Sequence, residues 1–188
     1  YNKNADNFAK TTINVDFYET QNRFSTLLPE RGYILDFGCG SGRDTKYFLE
    51  QGFYVDATDG SEEMCHIASN YTGIQVRRLL FEELDENKKY EGIWACSSIL
   101  HLPKNELKAV FMKMFKALKE DGIIYTSFKY GDFEGERNGR YFTDFTEKTF
   151  EEFVGEINNL QLKEEWITGD VRPGRGEEKW LNVILQKN

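Results

Sequence analysis

The sequence predicts an α/β chain: a doubly wound, mostly parallel seven-stranded sheet with the last strand antiparallel and helices on both faces. Three observations carry this. Short apolar runs alternate with stretches of helical periodicity through most of the chain. The run Ile34-Leu35-Asp36-Phe37 ends in a glycine-rich corner that opens a helical pattern, the local shape of strand, tight turn and helix start. Residues 180–186 read as a strand reached without room for a crossover helix, so that strand must pair antiparallel with a neighbour.

The elements follow in order. Residues 1–30 are polar, with Val15, Tyr18, Phe24, Leu27 and Leu28 on a loose helical stripe that Asn14 is placed to cap. This segment is expected to be a helical lid, with Tyr1, Phe8 and Tyr18 as covering residues, or to pack plainly on the sheet. Strand one covers 33–37. The helix after the glycine corner carries Tyr47 and Phe48 and stops at Gly52. Strand two covers 54–59. Ser61 caps the next helix, Glu62 and Glu63 complement its N-terminal dipole, and it runs to about Tyr71. Strand three covers 74–77, and 81–84 is a short turn. Strand four covers 92–96. Pro103 opens a helix with Leu107, Val110, Phe111, Met114 and Leu118 at helical spacing, closed by Gly122. Strand five covers 123–128. Residues 130–145 lack periodicity and are expected to form a long functional loop. Thr146 caps a helix burying Phe150, Phe153 and Ile157, and strand six covers 160–167. One domain spans 1–188: the lid segment, a core at 33–128 and a substrate-side half at 129–188.

At 188 residues the chain can bury a sizeable core. A formal net charge of -8 gives no long-range attraction to nucleic acid or anionic membrane, so neither is an expected partner. No apolar run approaches the ~18 residues of a membrane span, and no signal peptide is visible. Cys39, Cys65 and Cys96 are odd in number and form no C-x-x-C pair, which points to buried reduced thiols in a cytoplasmic protein, and no metal is expected. The chain begins with Tyr1 rather than Met, which leaves room for residues upstream.

Gly38, Gly40 and Gly42 form G-x-G-x-G. The dinucleotide fingerprint places its third glycine one residue later, where this chain has Arg43. A nucleoside site, a nicotinamide site and a bare tight corner all remain open at this point. Asp59 ends strand two twenty-one residues after Gly38, where a carboxylate can accept hydrogen bonds from both ribose hydroxyls. The plainer reading of Asp59 is a helix cap, a role Ser61 already fits.

Asp36-x-Gly38-x-Gly40-x-Gly42 after an apolar strand resembles the first motif of the class I S-adenosylmethionine-dependent methyltransferases. The resemblance runs well from 33 to 128 and weakly beyond. It implies a Rossmann-like methyltransferase fold with S-adenosylmethionine as cofactor. Asp36, Gly38, Gly40 and Gly42 would seat the methionine end, and Asp59 with Gly60 the ribose. Met64, Phe81 and Glu82 would flank the adenine. The ligand's carboxylate needs a donor, either backbone N–H groups at Gly40 and the helix start or Arg43, which is otherwise a solvated helix residue. Ile93 through His101 resembles the family's fourth-strand motif, with Ser97 at the cofactor. His101 is then a candidate general base beside the acceptor, or a structural histidine packed on Pro103. Gly42-Arg43-Asp44 followed by Tyr47-Phe48 looks like the tellurite-resistance and thiopurine-type branch.

The amino-methylating nucleic-acid enzymes carry Asn/Asp-Pro-Pro-Tyr/Phe after strand four. This chain has Cys96-Ser97-Ser98-Ile99 there, so a small-molecule acceptor is expected. Tyr130, Arg140, Arg172 and Arg175 are the candidate substrate residues, the arginines suiting an anionic group. Two rivals stand beside this reading: a nicotinamide-dependent oxidoreductase and a non-catalytic S-adenosylmethionine-binding module.

Overall fold

The computed structural model describes residues 2–188. In chain order the elements are α1 (Asn2–Thr12), α2 (Tyr18–Ser25), β1 (Tyr33–Phe37), α3 (Arg43–Glu50), β2 (Tyr54–Asp59), α4 (Glu62–Thr72), β3 (Arg77–Arg78), β4 (Tyr90–Ala95), α5 (Lys104–Ala117), β5 (Leu118–Lys129), β6 (Glu134–Arg137), β7 (Arg140–Thr143), α6 (Glu147–Gly155), β8 (Leu160–Gly169) and β9 (Lys179–Lys187). Single 3₁₀ turns cover Phe81–Glu83 and Ile99–His101.

Seven strands form the main sheet in the order β3-β2-β1-β4-β5-β9-β8. β1, β2, β3, β4 and β5 are mutually parallel, and β9 runs antiparallel to both of its neighbours. β8 is therefore parallel to β1, and the β8–β9 loop rises over the same end of the sheet as the glycine corner. Strand alternation divides the core. Leu35 and Phe37 face the layer of α5 and α6 with Phe111 and Phe150. Ile34 and Trp94 face α2 and α3 with Phe24 and Phe48. Trp94 stacks on Tyr125 at 4.0 Å between ring centroids, so β4 and β5 share one aromatic layer.

Several expected boundaries move. The N-terminal segment is two helices, and Asp16, not Asn14, accepts the hydrogen bond that starts the second, from the Tyr18 N–H at 3.1 Å. Tyr1 lies outside the described residues. Ile74 precedes β3, whose ladder to β2 begins at Arg77. Gly122 does not end α5. It lies inside β5, where the pairing with β4 jumps from Leu118 to Ile123 and the intervening residues bulge. An added Cβ at Gly122 would meet Leu118 and the Lys119 carbonyl at 2.9 Å, so the bulge requires glycine. Residues 130–145 are not an unstructured loop, because β6 and β7 form a hairpin there. Its turn is Asn138-Gly139, both at positive φ, the pair that two-residue hairpins favour.

Candidate active site

The parallel strands fan out in opposite directions from β1 and β4, so the loops that leave their C-terminal ends diverge and open a crevice. The glycine corner lines one wall and residues 97–101 the other.

The three glycines serve different needs. A Cβ at Gly38 would lie 2.5 Å from Ser98 Cβ, and Ser98 Oγ donates to the Phe37 carbonyl at 2.8 Å. Gly38 is thus required for the two walls to touch. A Cβ at Gly42 would lie 2.7 Å from Thr72 on α4, so Gly42 lets the start of α3 pack on α4. Gly40 alone has room for a Cβ, which would meet only the Phe8 ring at an ordinary contact distance of 3.5 Å. It is the one position of the three where a ligand can come up against bare backbone. α1 covers that position, with Thr12 Oγ1 also 3.2 Å from Ser41 Oγ. Tyr18 stands apart, edge-on to Tyr47.

Two acids hold the corner from neighbouring strands. Asp59 accepts from the Gly40 N–H at 3.0 Å through one oxygen and from the Ser61 N–H at 2.9 Å through the other. The Gly60 backbone also reaches this carboxylate, which still has acceptor capacity for a further donor. Burial raises its pKa against those backbone bonds. Asp36 is 2% exposed and accepts from Thr45 Oγ1 at 2.5 Å. Burial first, then the charge of Asp44, push it up to about 8. Arg43 does not neutralise this pair of acids. Its guanidinium grips Asp44 at 2.8 and 3.0 Å and lies over the Phe17 ring. Asp44 also accepts from Trp94 Nε1 and Gln21 Nε2. Burial works against its charge, but Arg43 and these donors hold its pKa low.

The remaining expected contacts fall on the same rim. Ser61 Oγ accepts from the Met64 N–H at 3.3 Å, and Met64 is buried in the first turn of α4. Gly60 sits between Asp59 and Ser61, packed toward Leu80. Phe81 is edge-on to Phe37 at 4.9 Å, with Glu82 beside it. Ser97 is held at positive φ, its N–H donating to Ser127 Oγ at 2.9 Å.

His101 is half-buried, edge-on to Phe142 at 4.7 Å. Its Nδ1 lies 2.8 Å from the Tyr141 carbonyl. A carbonyl only accepts, so Nδ1 carries the proton and the neutral ring keeps its lone pair on Nε2. Burial, then the charges of Arg140 and Lys129, lower its pKa. The hairpin thus brings Arg140 and His101 together. Tyr130 donates to Glu147 at 2.8 Å. Arg172 is turned back on its own loop, bonded through Nε and Nη2 to Asp170, and Arg175 lies 4.0 Å from Glu178. Three residues were not anticipated. Ser98 clamps the walls, Ser127 holds Ser97, and Lys129 at the end of β5 pairs with Glu178 at 2.8 Å. All three act through partners distant in sequence and leave no local spacing to read. Asn138-Gly139 was the one available signal for the hairpin.

Comparison with known proteins adds the following. A methyltransferase-domain family model matches residues 34–122. YqeM of Bacillus subtilis (strain 168), designated a methyltransferase, is 33% identical over 116 residues, 56% of this chain and 47% of that protein. This chain therefore spans about half of YqeM's length. The structure of Burkholderia thailandensis 1,6-didemethyltoxoflavin-N1-methyltransferase, bound to 1,6-didemethyltoxoflavin and S-adenosylhomocysteine, superposes with a TM-score of 0.76 at 25% identity, covering 90% of this chain and 77% of that one. A TehB-like S-adenosylmethionine-dependent methyltransferase from Corynebacterium glutamicum superposes at 0.72 with 19% identity, covering 99% of both chains, a likeness of fold.

Proposed function

We propose that this chain, which belongs to the class I S-adenosylmethionine-dependent methyltransferases, transfers a methyl group to a small-molecule acceptor. The observation that carries the reading is the pair of acids on adjacent strands at the crevice. Asp59 brings a carboxylate to the corner, Asp36 behind it holds its proton near neutral pH, and Arg43, the basic group at the helix start, is spent on Asp44. Such a corner suits a ligand with an ammonium and a sulfonium and opposes a pyrophosphate. It therefore weighs against a nicotinamide cofactor.

When bound, S-adenosylmethionine supplies an electrophilic methyl carbon. In this reading, Asp59 holds the ribose hydroxyls on the acceptor capacity left by its backbone donors, and Gly40 gives close approach to the methionine end. Asp36, Gly38 and Gly42 set the shape of that corner, and Gly60 carries the chain past the ribose. Met64, Phe81 and Glu82 border the adenine, and Ser97 closes the far wall. Phe8 covers the corner from α1 and limits access of water. His101, neutral and with Nε2 unprotonated, is the base nearest the acceptor side. Tyr130 and Arg140 belong to the acceptor loops, and Arg172 and Arg175 shape the rim through Asp170 and Glu178. A small acceptor is consistent with the toxoflavin-type substrate of the Burkholderia neighbour. Free thiols at Cys39, Cys65 and Cys96 suit cytoplasmic residence, and no described helix is long and apolar enough to cross a membrane.

Titration calorimetry with S-adenosylhomocysteine tests the reading. Binding is expected. A folded chain that ignores the ligand at millimolar concentration overturns it, as does a thermal shift with NAD and none with S-adenosylhomocysteine.

A further inference from the structure

The acceptor side combines two features. It is crowded with rings, and its cations stand against ring faces. Tyr130, Phe133, Tyr141 and Phe142 lie within thirteen residues, and Trp180 joins them because the Tyr130 N–H bonds the Lys179 carbonyl at 3.0 Å. Tyr130 and Phe133 are more than a third exposed, although large rings are otherwise favoured in the core. Phe142 is the centre of the group. His101 meets its edge, Lys129 Nζ lies 5.5 Å from its centroid and Arg137 Cζ lies 4.9 Å away. Lys129 Nζ is also 5.9 Å from the Trp180 ring.

The charges are graded. Arg137 is bonded to Asp144 and has its cation over Phe133 as well. Lys129 gives one N–H to Glu178 and keeps two others. Arg140 is exposed and holds no ion pair among the described residues. His101, which feels the charge of both Arg140 and Lys129, is tied to the Tyr141 carbonyl through Nδ1, and its Nε2 has no hydrogen-bond partner among the described residues. An unprotonated imidazole nitrogen beside two cations is an arrangement for taking a proton from a group that becomes an anion. The exposed Tyr130 ring and the half-buried Phe142 and Trp180 rings near it, with Lys129 between the last two, suit a flat ligand that becomes an anion.

We propose that the acceptor is a planar conjugated molecule with an acidic O–H or N–H, lying among the rings of Phe142, Trp180 and Tyr130. Its proton passes to His101 Nε2 and its anion faces Lys129 and Arg140. This rests on the methyl-transfer reading above. The lone pair freed on the acceptor's oxygen or nitrogen forms the new bond to the methyl carbon. The carbon–sulfur bond breaks with its pair left on sulfur, so the sulfonium becomes a neutral thioether. The proton stays on His101 until solvent removes it. No oxidant or further reactant is needed.

The test uses the chain saturated with S-adenosylhomocysteine, with that binding verified first by calorimetry. 7-Hydroxycoumarin and xanthine serve as planar acidic probes, and cyclohexylamine as a non-planar cationic one. Both acids are expected to bind and the amine is not. Bound 7-hydroxycoumarin is expected to ionise below its solution pKa, read from its phenolate absorption. Lys129→Met should weaken its binding by about tenfold and erase that shift, and Lys129→Arg should restore both. Three results overturn the proposal while the cofactor reading stands: neither acid binds the verified complex, the amine binds as tightly as the acids, or Lys129→Met leaves the phenolate shift intact. Failure of S-adenosylhomocysteine itself to bind the folded chain removes both.

Discussion

The glycine corner and the wall where residues 97–101 meet the β6–β7 hairpin satisfy their charges by different means. At the glycine corner, acids are buried and answered by backbone amides, a hydroxyl and, for Asp44 alone, the adjacent Arg43: Asp59 by Gly40 and Ser61, Asp36 by Thr45. On the hairpin side, cations lie near the surface and are answered by single carboxylates on other strands and loops: Lys129 by Glu178 and Arg137 by Asp144. Backbone partners are covalently fixed within a few residues of the motif. Side-chain partners across a loop must be ordered at an entropic cost and are weakened by water. The first wall is therefore built once and kept rigid, whereas the second can be retuned residue by residue without touching the first.

Substitutions can break this contrast, and the largest effect belongs to the rigid wall. Gly38→Ala forces a Cβ to 2.5 Å from Ser98 at a φ of +85°. It is expected to cost about 3 kcal/mol in urea denaturation. Asp59→Ala should weaken S-adenosylhomocysteine roughly 100-fold in calorimetry, because a charged acceptor of two hydrogen bonds is removed. Smaller is the pH effect of Asp36. Its folded pKa of about 8 lies above the ordinary 3.8, so the native state holds a proton that the unfolded chain has released between those values. Stability should therefore fall as pH rises through that window, by on the order of 2 kcal/mol after relaxation of the Asp44–Arg43 pair. Asp36→Asn should flatten the slope of urea midpoint against pH. Gly52→Ala is the control for backbone strain alone: φ is +89° but no atom lies within 4 Å of the added Cβ, so the loss should be about 1 kcal/mol. Smallest is Phe8→Ala. It should speed S-adenosylhomocysteine release about threefold in stopped-flow, since it removes one partly exposed ring from over Gly40.

The same contrast explains what could be read from the residues alone. Asp36, the three glycines, Asp59 and the Ser61 cap are local patterns, and the expected strands at 33–37 and 54–59 coincide with β1 and β2. Thr146 caps α6 as expected, with Thr149 answering it. On the hairpin side no spacing announces that His101 meets Tyr141 forty residues on, or that Lys129 meets Glu178. Nothing in the spacing of the polar loop 170–178 shows that Arg172 is bonded to Asp170 or that Arg175 lies beside Glu178. The hairpin is hidden for another reason: Asn138-Gly139 is a strong turn signal, but one flank, Glu134 to Arg137, has no apolar side chain and the other, Arg140 to Thr143, sets its two rings side by side, so neither shows strand alternation.

β8 touches the rest of the main sheet only through β9. A chain growing from its N-terminus thus completes β8 before the strand that can receive it exists. Until residues 179–187 emerge, the outer edge of β5 and both edges of β8 offer bare backbone to any passing polypeptide. Newly made chains are exposed to sticking and to proteases in that interval, and the surface around Trp180 takes shape only once β9 has paired with β5 and β8.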